Sequence, residues 1–509
     1  MYKENLKFLE NEYWYGGIVH IGKKLPLSEK SDITIDLISG KDASDQYSPL
    51  FISNKGRYIH SEKPFVITFR NGEIHIEGIG EITVADGFET LKGAALAAAK
   101  KYFRLCGKIP NEEFFRVPQY NTWIELLYNQ NEKDILNYAK SLTDEGMKSG
   151  ILMIDEGWAP DYGDFDFCRR KFDDPKGMVK KLHDMGFKVM LWVTPHISPD
   201  SGCFRELRDT DFLVHDAEGK IAIREWWNGF SCILDLSNPK ACDWFREKLN
   251  GVMERYGVDG FKFDAGGAYL YRSDDKTAVV QETCEHTLSF DRFCSDFEYN
   301  ELRSVWNCGG EPIVCRLQDK LHIWGENGLA SLIPNMLTQG IDGYFYGCPD
   351  MVGGGDIGSF VGNSVSLDEE LYLRWLEASI LCPMMQFSIS PKRILSAKGF
   401  KKAMEITNMR ADYADTIIEL AKSASAAGEP IMRYMEYEFP NSGMADITDQ
   451  FMLGEDILVA PVMEKGALKR KVALPAGKWE FYGDILDGGD TVEVDAPIGR
   501  LPIFKRIKD

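Results

Sequence analysis

Four aspartates stand at or just after the end of a short apolar run: Asp155, Asp264, Asp319 and Asp350. If these runs are parallel strands of a barrel, their carboxyl ends meet at one face, and the four carboxylates share a confined space. Like charges grouped in this way are costly in a purely structural role. Any single one of these aspartates is explained equally well as a loop cap. The occurrence of all four together is what indicates a functional site.

Paired carboxylates without a cofactor motif indicate either glycoside hydrolysis or a divalent metal site. The sequence has no His-x-x-x-His pair and no Cys/His cluster, which disfavours zinc. Magnesium usually accompanies a phosphate-binding loop, and neither Gly309-Gly310 nor Gly353–Gly355 has the G-x-x-x-x-G-K-[ST] pattern. The residues therefore favour glycoside hydrolysis that needs no metal and no cofactor.

Tryptophans crowd the same strand ends. Aromatic rings stack on the apolar faces of sugars, although any one tryptophan is more often part of the core. The six near predicted strand ends are Trp158, Trp192, Trp226, Trp227, Trp306 and Trp324. We expect Trp192, Trp227 and Trp324 to contact substrate, and Trp14, near the N-terminus, is a further candidate.

The run Gly260–Asp264 places a lysine near an aspartate. Alternate residues of a strand point the same way, so Lys262 and Asp264 share a side, which in a barrel is the interior. A cation beside Asp264 favours the ionised carboxylate that a nucleophile requires. The alternative is that Lys262 belongs to a buried structural ion pair.

The elements that position these residues form three regions. Up to residue 116, short alternating runs predict an antiparallel β-sandwich, and the same pattern returns after residue 430. Between them, near-continuous apolar strands alternate with helical stretches, which predicts parallel strands buried on both faces. We therefore predict a (β/α)8 TIM barrel at 117–430, flanked by an N-terminal β-sandwich at 1–116 and a C-terminal β-sandwich at 431–509.

Eight strands are needed to close such a barrel, and the middle region offers eight candidates. They are Thr122–Leu126, Ile151–Asp155, Val189–Val193, Gly260–Asp264, Arg303–Asn307, Ile313–Arg316, Gly343–Tyr346 and Pro383–Ser388.

Charge and composition narrow the partners. The net charge is −20, which argues against nucleic acid or an anionic membrane surface as partner. The eleven cysteines lack C-x-x-C spacing, and the N-terminus lacks the pattern of a signal peptide, so we expect reduced thiols and a cytoplasmic protein. The sequence leaves open whether copies of the chain form a homo-oligomer.

Several ordered blocks resemble glycoside hydrolase family 31, and the resemblance covers most of the chain. The blocks are Val258–Asp264, Trp227–Gly229 through Leu234–Pro239, Asp449–Gly454 through Ala460–Val462, Gly428–Arg433 with Glu438–Pro440, and Pro49–Arg57. The resemblance implies a retaining α-glycosidase acting on an α-linked oligosaccharide or glycoside by double displacement. In such enzymes the two carboxyl groups lie roughly 5–5.5 Å apart.

The family pattern implies a role for each matching residue. Asp264 is the nucleophile, and Asp319 occupies the position of the general acid/base. Asp155 matches an aspartate that hydrogen-bonds the sugar in the innermost subsite, while Arg303 and Trp227 match substrate-facing residues. Asp350 is a rival for the acid position, but it matches an aspartate that supports the site from behind.

Within the family, the sequence resembles the branch that contains the myogenesis-regulating glycosidase and bacterial α-galactosidases. Lys262 stands where α-glucosidases have a tryptophan, and Phe387-Ser388 replaces the segment with their sugar-binding histidine. Gly266-Gly267 stands where an acidic residue is usual. We therefore expect an α-galactosidase, with α-glucosidase, α-xylosidase, α-N-acetylgalactosaminidase, sulfoquinovosidase and a catalytically silent sugar-binding protein as alternatives.

Overall fold

The computed structural model describes residues 2–39, 45–361 and 367–508, and its central feature is the predicted (β/α)8 barrel. Eight short strands form one nearly closed parallel sheet. Along the chain they are β1 (Gln119–Asn121), β2 (Ile151–Ile154), β3 (Lys188–Val193), β4 (Gly260–Phe263), β5 (Tyr299–Leu302), β6 (Cys315–Arg316), β7 (Gly347–Cys348) and β8 (Gln386–Phe387).

Barrel strands that follow one another in sequence pair in parallel. Leu152 of β2 lies opposite Val189 of β3, and Met190 of β3 lies opposite Gly260 of β4. These strands are runs of Ile, Leu, Met, Val and Phe because both of their faces are buried. Since the strands are parallel, the polar residues that follow them stand at the carboxyl ends, where barrel enzymes carry their chemistry.

The predicted first strand, Thr122–Leu126, is wrong. Strand β1 ends at Asn121, whose side-chain Oδ1 accepts a hydrogen bond from the backbone N–H of Trp123 over 2.8 Å. This contact turns the chain into a short helix at Trp123–Leu126. Four or five alternating residues cannot distinguish one helical turn from a strand.

The predicted fifth and seventh strands are displaced along the chain. Strand β5 ends at Leu302, so Arg303 follows the strand instead of opening it, and Val305–Trp306 is a separate strand. The prediction at Gly343–Tyr346 stops just before β7 begins. In both places the paired strand lies next to the predicted run, before it at β5 and after it at β7.

The helices connect and cover the barrel strands. Pro175–Asp184 and Pro239–Tyr256 each open with proline in the first turn and an Asp or Asn cap, which suits a helix start. The remaining helices of this region are Glu132–Asp144, Gly202–Leu207, Thr283–Cys294, Leu332–Ile341, Glu369–Ser379, Pro391–Ile394, Ala397–Met409 and Ala414–Ala427.

The N-terminal region is an antiparallel β-sandwich, as predicted. One sheet has four strands: Tyr2–Lys7, Ile33–Asp36, Phe65–Arg70 and Glu73–Gly78. The second sheet has five strands from this region: Tyr13–Ile18, Leu27–Ser28, Gln46–Ser53, Tyr58–His60 and Thr83–Ala85. Glu73–Gly78 alternates exposed and buried residues, which is the pattern of a sheet with one solvated face. The helices Leu91–Tyr102 and Glu113–Arg116 follow this sandwich.

The C-terminal region is the second predicted β-sandwich. Its core packs Met452, Leu458, Val472, Trp479 and Phe504. The strands are Met432–Arg433, Phe451–Leu453, Ile457–Val459, Lys469–Leu474, Lys478–Phe481, Asp484–Asp487, Asp490–Asp495 and Ile503–Ile507, and the short helix Met435–Glu438 lies among them.

The chain forms two compact units, which are described separately below. The first unit comprises residues 1–35, 46–116 and 307–509, and the second comprises 36–45 and 117–306. Strands β1–β5 belong to the second unit and β6–β8 to the first. The three predicted domain boundaries stay a prediction. No helix within the described part of the chain is long and apolar enough to cross a membrane.

Candidate active site

Asp264 directly follows β4 in the second unit, and its carboxylate is held by three kinds of group. The indole N–H of Trp192 donates to Oδ2 over 2.9 Å, and the backbone N–H of Ala265 donates to Oδ1 over 2.7 Å. The Nε of Arg303 lies 3.2 Å from Oδ1. Because Asp264 is buried, the guanidinium of Arg303 offsets much of the cost of removing its charge from water.

The turn after Asp264 explains a glycine that departs from the family pattern. Ala265 and Gly266 both have positive φ, at 57° and 75°, a conformation that glycine adopts without steric cost. A Cβ at Gly266 would lie 2.2 Å from Cδ1 of Phe290. No side chain fits there while the Phe290 ring keeps its place.

Lys262 and Asp155 form a buried ion pair. The Nζ of Lys262 in β4 donates to Oδ2 of Asp155, which follows β2, over 2.6 Å. The structure therefore places Lys262 in a buried ion pair, which was the alternative to a role beside Asp264. The cation beside Asp264 is Arg303.

A hairpin carries Trp227 to Arg303. Arg224–Trp226 pairs with Gly229–Ile233, and the tight turn between them consists of Trp227 and Asn228. The Trp227 side chain is exposed, at 43%, and its ring centre lies 4.9 Å from the guanidinium carbon of Arg303. The ring thus stacks on the cation that contacts Asp264, while part of its surface stays open to a ligand.

The sequence analysis missed Glu156. This residue directly follows Asp155 and is buried in the second unit. Burial raises the pKa of Glu156 to about 8, and the nearby charges of Asp155 and Asp264 add to the shift. Its position next to Asp155 was the only signal in the sequence, since the charges around it come from other strands.

In the first unit, one guanidinium holds two carboxylates. Nη1 of Arg316, the last residue of β6, donates to Oδ1 of Asp319 over 2.8 Å and to Oδ1 of Asp350 over 2.9 Å. The Arg316 side chain is buried. The structure therefore brings together the two rivals for the acid position.

Asp350 and Asp319 differ in what surrounds them. The Asp350 side chain is fully buried, and the backbone N–H groups of Lys320, Met351 and Gly355 donate to it over 2.7–2.8 Å. Burial raises the pKa of Asp350, and the Arg316 guanidinium opposes that rise. The Asp319 side chain is 29% exposed. Of the two, Asp319 is the carboxylate that a solvent-borne group can reach.

Two predicted substrate tryptophans lie in the first unit. The Trp324 indole N–H donates to Asp368, which caps the helix Glu369–Ser379, and its role toward substrate stays a prediction. Trp14 is fully buried in its strand, with the Arg57 guanidinium 5.3 Å from its ring. The expectation for Trp14 is therefore wrong in this conformation, because none of its surface is available to a sugar.

A cavity of about 340 Å³ borders Trp192 in the second unit. Aromatic side chains make up much of its wall, among them Tyr128, Trp158, Tyr162 and Phe165. Pockets of this size and lining bind small organic molecules. Within residues 2–39, 45–361 and 367–508, no three His, Cys, Asp or Glu side chains are grouped so that they could hold a metal ion.

Two family models match the sequence. The model described as the glycosyl hydrolases family 31 TIM-barrel domain matches residues 119–309, and that of the family 31 C-terminal domain matches residues 428–507. The first covers the second unit's barrel strands, and the second covers the C-terminal sandwich.

Individual relatives agree with these matches. The chain is 34% identical to the myogenesis-regulating glycosidase of Mus musculus over 409 residues, which are 78% of this chain and 57% of that protein. It is 25% identical to an alpha-xylosidase of Lactiplantibacillus pentosus over 88% of this chain and 60% of that protein. The chain thus spans less than two thirds of the length of either relative.

A solved structure shows the same fold. A dextranase mutant of Flavobacterium johnsoniae, complexed with isomaltotriose, superimposes with a TM-score of 0.83 and 21% sequence identity. The match covers 99% of this chain and 66% of the dextranase chain.

Proposed function

The chain belongs to glycosyl hydrolase family 31, and on this basis we propose that it is a retaining α-glycoside hydrolase. In this proposal Asp264 is the nucleophile, Asp319 is the general acid/base, and an α-linked oligosaccharide or glycoside is the substrate. The observation that carries it is the Asp264 carboxylate, fixed at the end of β4 by Trp192 and Arg303.

The first step forms a glycosyl ester. An oxygen of Asp264 attacks the anomeric carbon, while Asp319 gives its proton to the glycosidic oxygen as the bond to the leaving group breaks. The contacts from Trp192 and Ala265 limit rotation of the Asp264 carboxylate, so that its lone pairs keep one orientation. Arg303 offsets the charge of the carboxylate before the attack and after its release.

The second step returns the enzyme to its starting state. Asp319 takes a proton from water, the water oxygen attacks the anomeric carbon, and the ester bond to Asp264 breaks. This role requires a carboxyl group that exchanges protons with substrate and solvent. The partial exposure of Asp319 supports its assignment, and the fully buried Asp350 is assigned to supporting Arg316.

We propose α-galactoside as the preferred substrate. Galactose differs from glucose in its axial 4-hydroxyl, so discrimination depends on polar groups that reach this hydroxyl. The Lys262–Asp155 pair is the candidate, because Lys262 places a cation beside Asp155 where the α-glucosidase pattern has a tryptophan. A buried group left unpaired by the wrong sugar costs roughly 1–3 kcal/mol.

The experiment compares kcat/KM for nitrophenyl α-galactoside and α-glucoside. We expect at least a roughly tenfold preference for the galactoside, equivalent to about 1.4 kcal/mol. Lys262→Ala should narrow the preference, whereas Lys176→Ala, a change of an exposed lysine in the helix Pro175–Asp184, should not. An equal or reversed preference in the unmodified protein would reject the galactosidase assignment and leave the glycosidase assignment standing.

A further inference from the structure

Glu156 is a buried carboxyl group that the proposed mechanism does not use. The side-chain N–H of Asn228 donates to its Oε2 over 2.5 Å, and the hydroxyl of Tyr162 donates to the same oxygen over 3.4 Å. Its backbone N–H donates to Oδ1 of Asp155 over 2.9 Å. Glu156 thus joins the end of β2 to the hairpin that carries Trp227.

The turn of that hairpin is held on two sides. Asn228 donates to Glu156, and its Oδ1 accepts a hydrogen bond from the Tyr128 hydroxyl over 3.1 Å. The neighbouring residue, Trp227, stacks on Arg303, which contacts Asp264. A path therefore leads from Glu156 to Asn228, through the peptide bond to Trp227, and on through Arg303 to Asp264.

The two aspartates whose charges act on Glu156 each contact a cation without it. Lys262 lies 2.6 Å from Asp155, and Arg303 lies 3.2 Å from Asp264. Adding a third buried negative charge would place like charges together without a further cation in these two pairs.

We propose that Glu156 is a positioning residue that, as a neutral carboxylic acid, holds the Trp227–Asn228 turn against Arg303. Its effect on glycoside turnover rests on the function proposed above, whereas its effect on the position of Trp227 does not. In the neutral form Glu156 accepts from Asn228 without adding charge beside Asp264.

The proposal predicts a transition at mildly alkaline pH. Burial raises the pKa of Glu156 to about 8; Asp155 and Asp264 add to the rise, whereas Lys262 and the hydrogen bond from Asn228 oppose it. The tyrosines beside it stay protonated there, because burial raises the pKa of Tyr128 to about 12 and that of Tyr162 further. As pH rises through about 8, Glu156 gains a negative charge, which strengthens the hydrogen bond from Asn228 and repels Asp155 and Asp264, so the turn is expected to shift.

Fluorine NMR of protein labelled with 5-fluorotryptophan tests the proposal without substrate. The Trp227 resonance is assigned by its loss in Trp227→Phe, and it is then followed from pH 6 to 10. We expect it to move with a midpoint near 8 in the unmodified protein and to stay constant in Glu156→Gln, which mimics the neutral acid. Asn228→Ala, which cuts the link but keeps Glu156, should also abolish the movement.

Two NMR results would overturn the proposal. One is a Trp227 resonance that does not titrate near pH 8, and the other is the same titration in Glu156→Gln. Neither depends on glycosidase activity, so a failure of the proposed function would be recognised separately.

Kinetics supply a second readout in an active enzyme. Glu156→Ala should raise KM roughly fivefold with little change in kcat, as expected for the loss of one hydrogen bond that positions a binding residue. In Glu156→Gln, KM should be within about twofold of the unmodified value, because the amide oxygen accepts a hydrogen bond of nearly the same strength. A Gln variant as poor as the Ala variant at pH 6 would contradict a neutral positioning role.

Discussion

The aspartates of the second unit and those of the first unit are held by basic side chains in different ways. In the second unit Asp264 and Asp155 contact different cations, Arg303 and Lys262, and Arg303 also lies 3.6 Å from Asp45. In the first unit a single cation, Arg316, contacts two carboxylates.

The two groups also differ in exposure. The side chain of Asp264 is 7% exposed and that of Asp319 is 29% exposed, although both carry a guanidinium contact. A nucleophile has to be ionised and correctly oriented at the start of every cycle, which the Arg303 contact and a fixed carboxylate provide. An acid/base has to exchange its proton in every cycle, which requires access to substrate and water. The difference in exposure between Asp264 and Asp319 fits the different roles proposed for them.

Asp264→Asn should have the largest effect on turnover, because it removes the proposed nucleophile of the second unit. An amide cannot form the glycosyl ester, so kcat on nitrophenyl α-galactoside should fall by roughly three to six orders of magnitude. The Trp192 N–H still has an amide oxygen to donate to, so circular dichroism should be unchanged. Mass spectrometry after treatment with a fluorinated glycosyl inhibitor should place the label on Asp264. A label on Asp319 or Asp350 would reverse the roles of the two groups.

Asp319→Ala should have the next largest effect on turnover, and it tests which of the two carboxylates that contact Arg316 is the acid/base. Turnover of substrates with poor leaving groups should fall roughly 10²- to 10⁴-fold, and azide should restore the second step for activated substrates. The matched variant, Asp350→Asn, breaks a buried pair with Arg316 and should cost about 3–5 kcal/mol of unfolding free energy. Chemical denaturation measures this loss. Azide rescue of Asp350→Asn together with none for Asp319→Ala would mean that the acid is Asp350.

Trp227→Ala should have the smallest effect and sharpens the account of Arg303. Losing an exposed cation–π contact of about 0.5–1 kcal/mol should raise KM roughly two- to fivefold and leave kcat nearly unchanged. Trp14→Phe is the control: it alters a buried ring away from any ligand surface, so stability should fall without a change in KM. A KM effect of Trp14→Phe, or none for Trp227→Ala, would contradict the assignment of these rings.

The apolar runs of the sequence predicted the fold. The errors concern where individual strands begin and end. The prediction for β4 agrees with the structure to within one residue, because Gly260 and Asp264 mark the two ends of a short buried run. The first strand was misplaced because Asn121 turns the chain by a side-chain contact that has no periodic signature. Runs fix which elements exist, whereas local side-chain contacts fix where the elements end.

The site was predictable wherever the chemistry lay within one motif. Lys262 lies in β4 and Asp264 directly follows it, so alternation along one strand predicted that they share a side. The ion-pair partners, Asp155 for Lys262 and Arg303 for Asp264, could not be predicted, because they follow other strands and only the sheet brings them together. Glu156 was missed for the same reason, since its partner Asn228 lies in a distant hairpin.

The turn after Asp264 also limits which substitutions this protein can accept. A side chain at position 266 meets the Phe290 ring at 2.2 Å, and the backbone there has φ of 75°. An acidic side chain at position 266 therefore requires a smaller residue at 290, and the positive φ remains a cost of that substitution. Positions 266 and 290 are coupled in this way, and natural variants should keep glycine at 266 for as long as they keep the ring at 290.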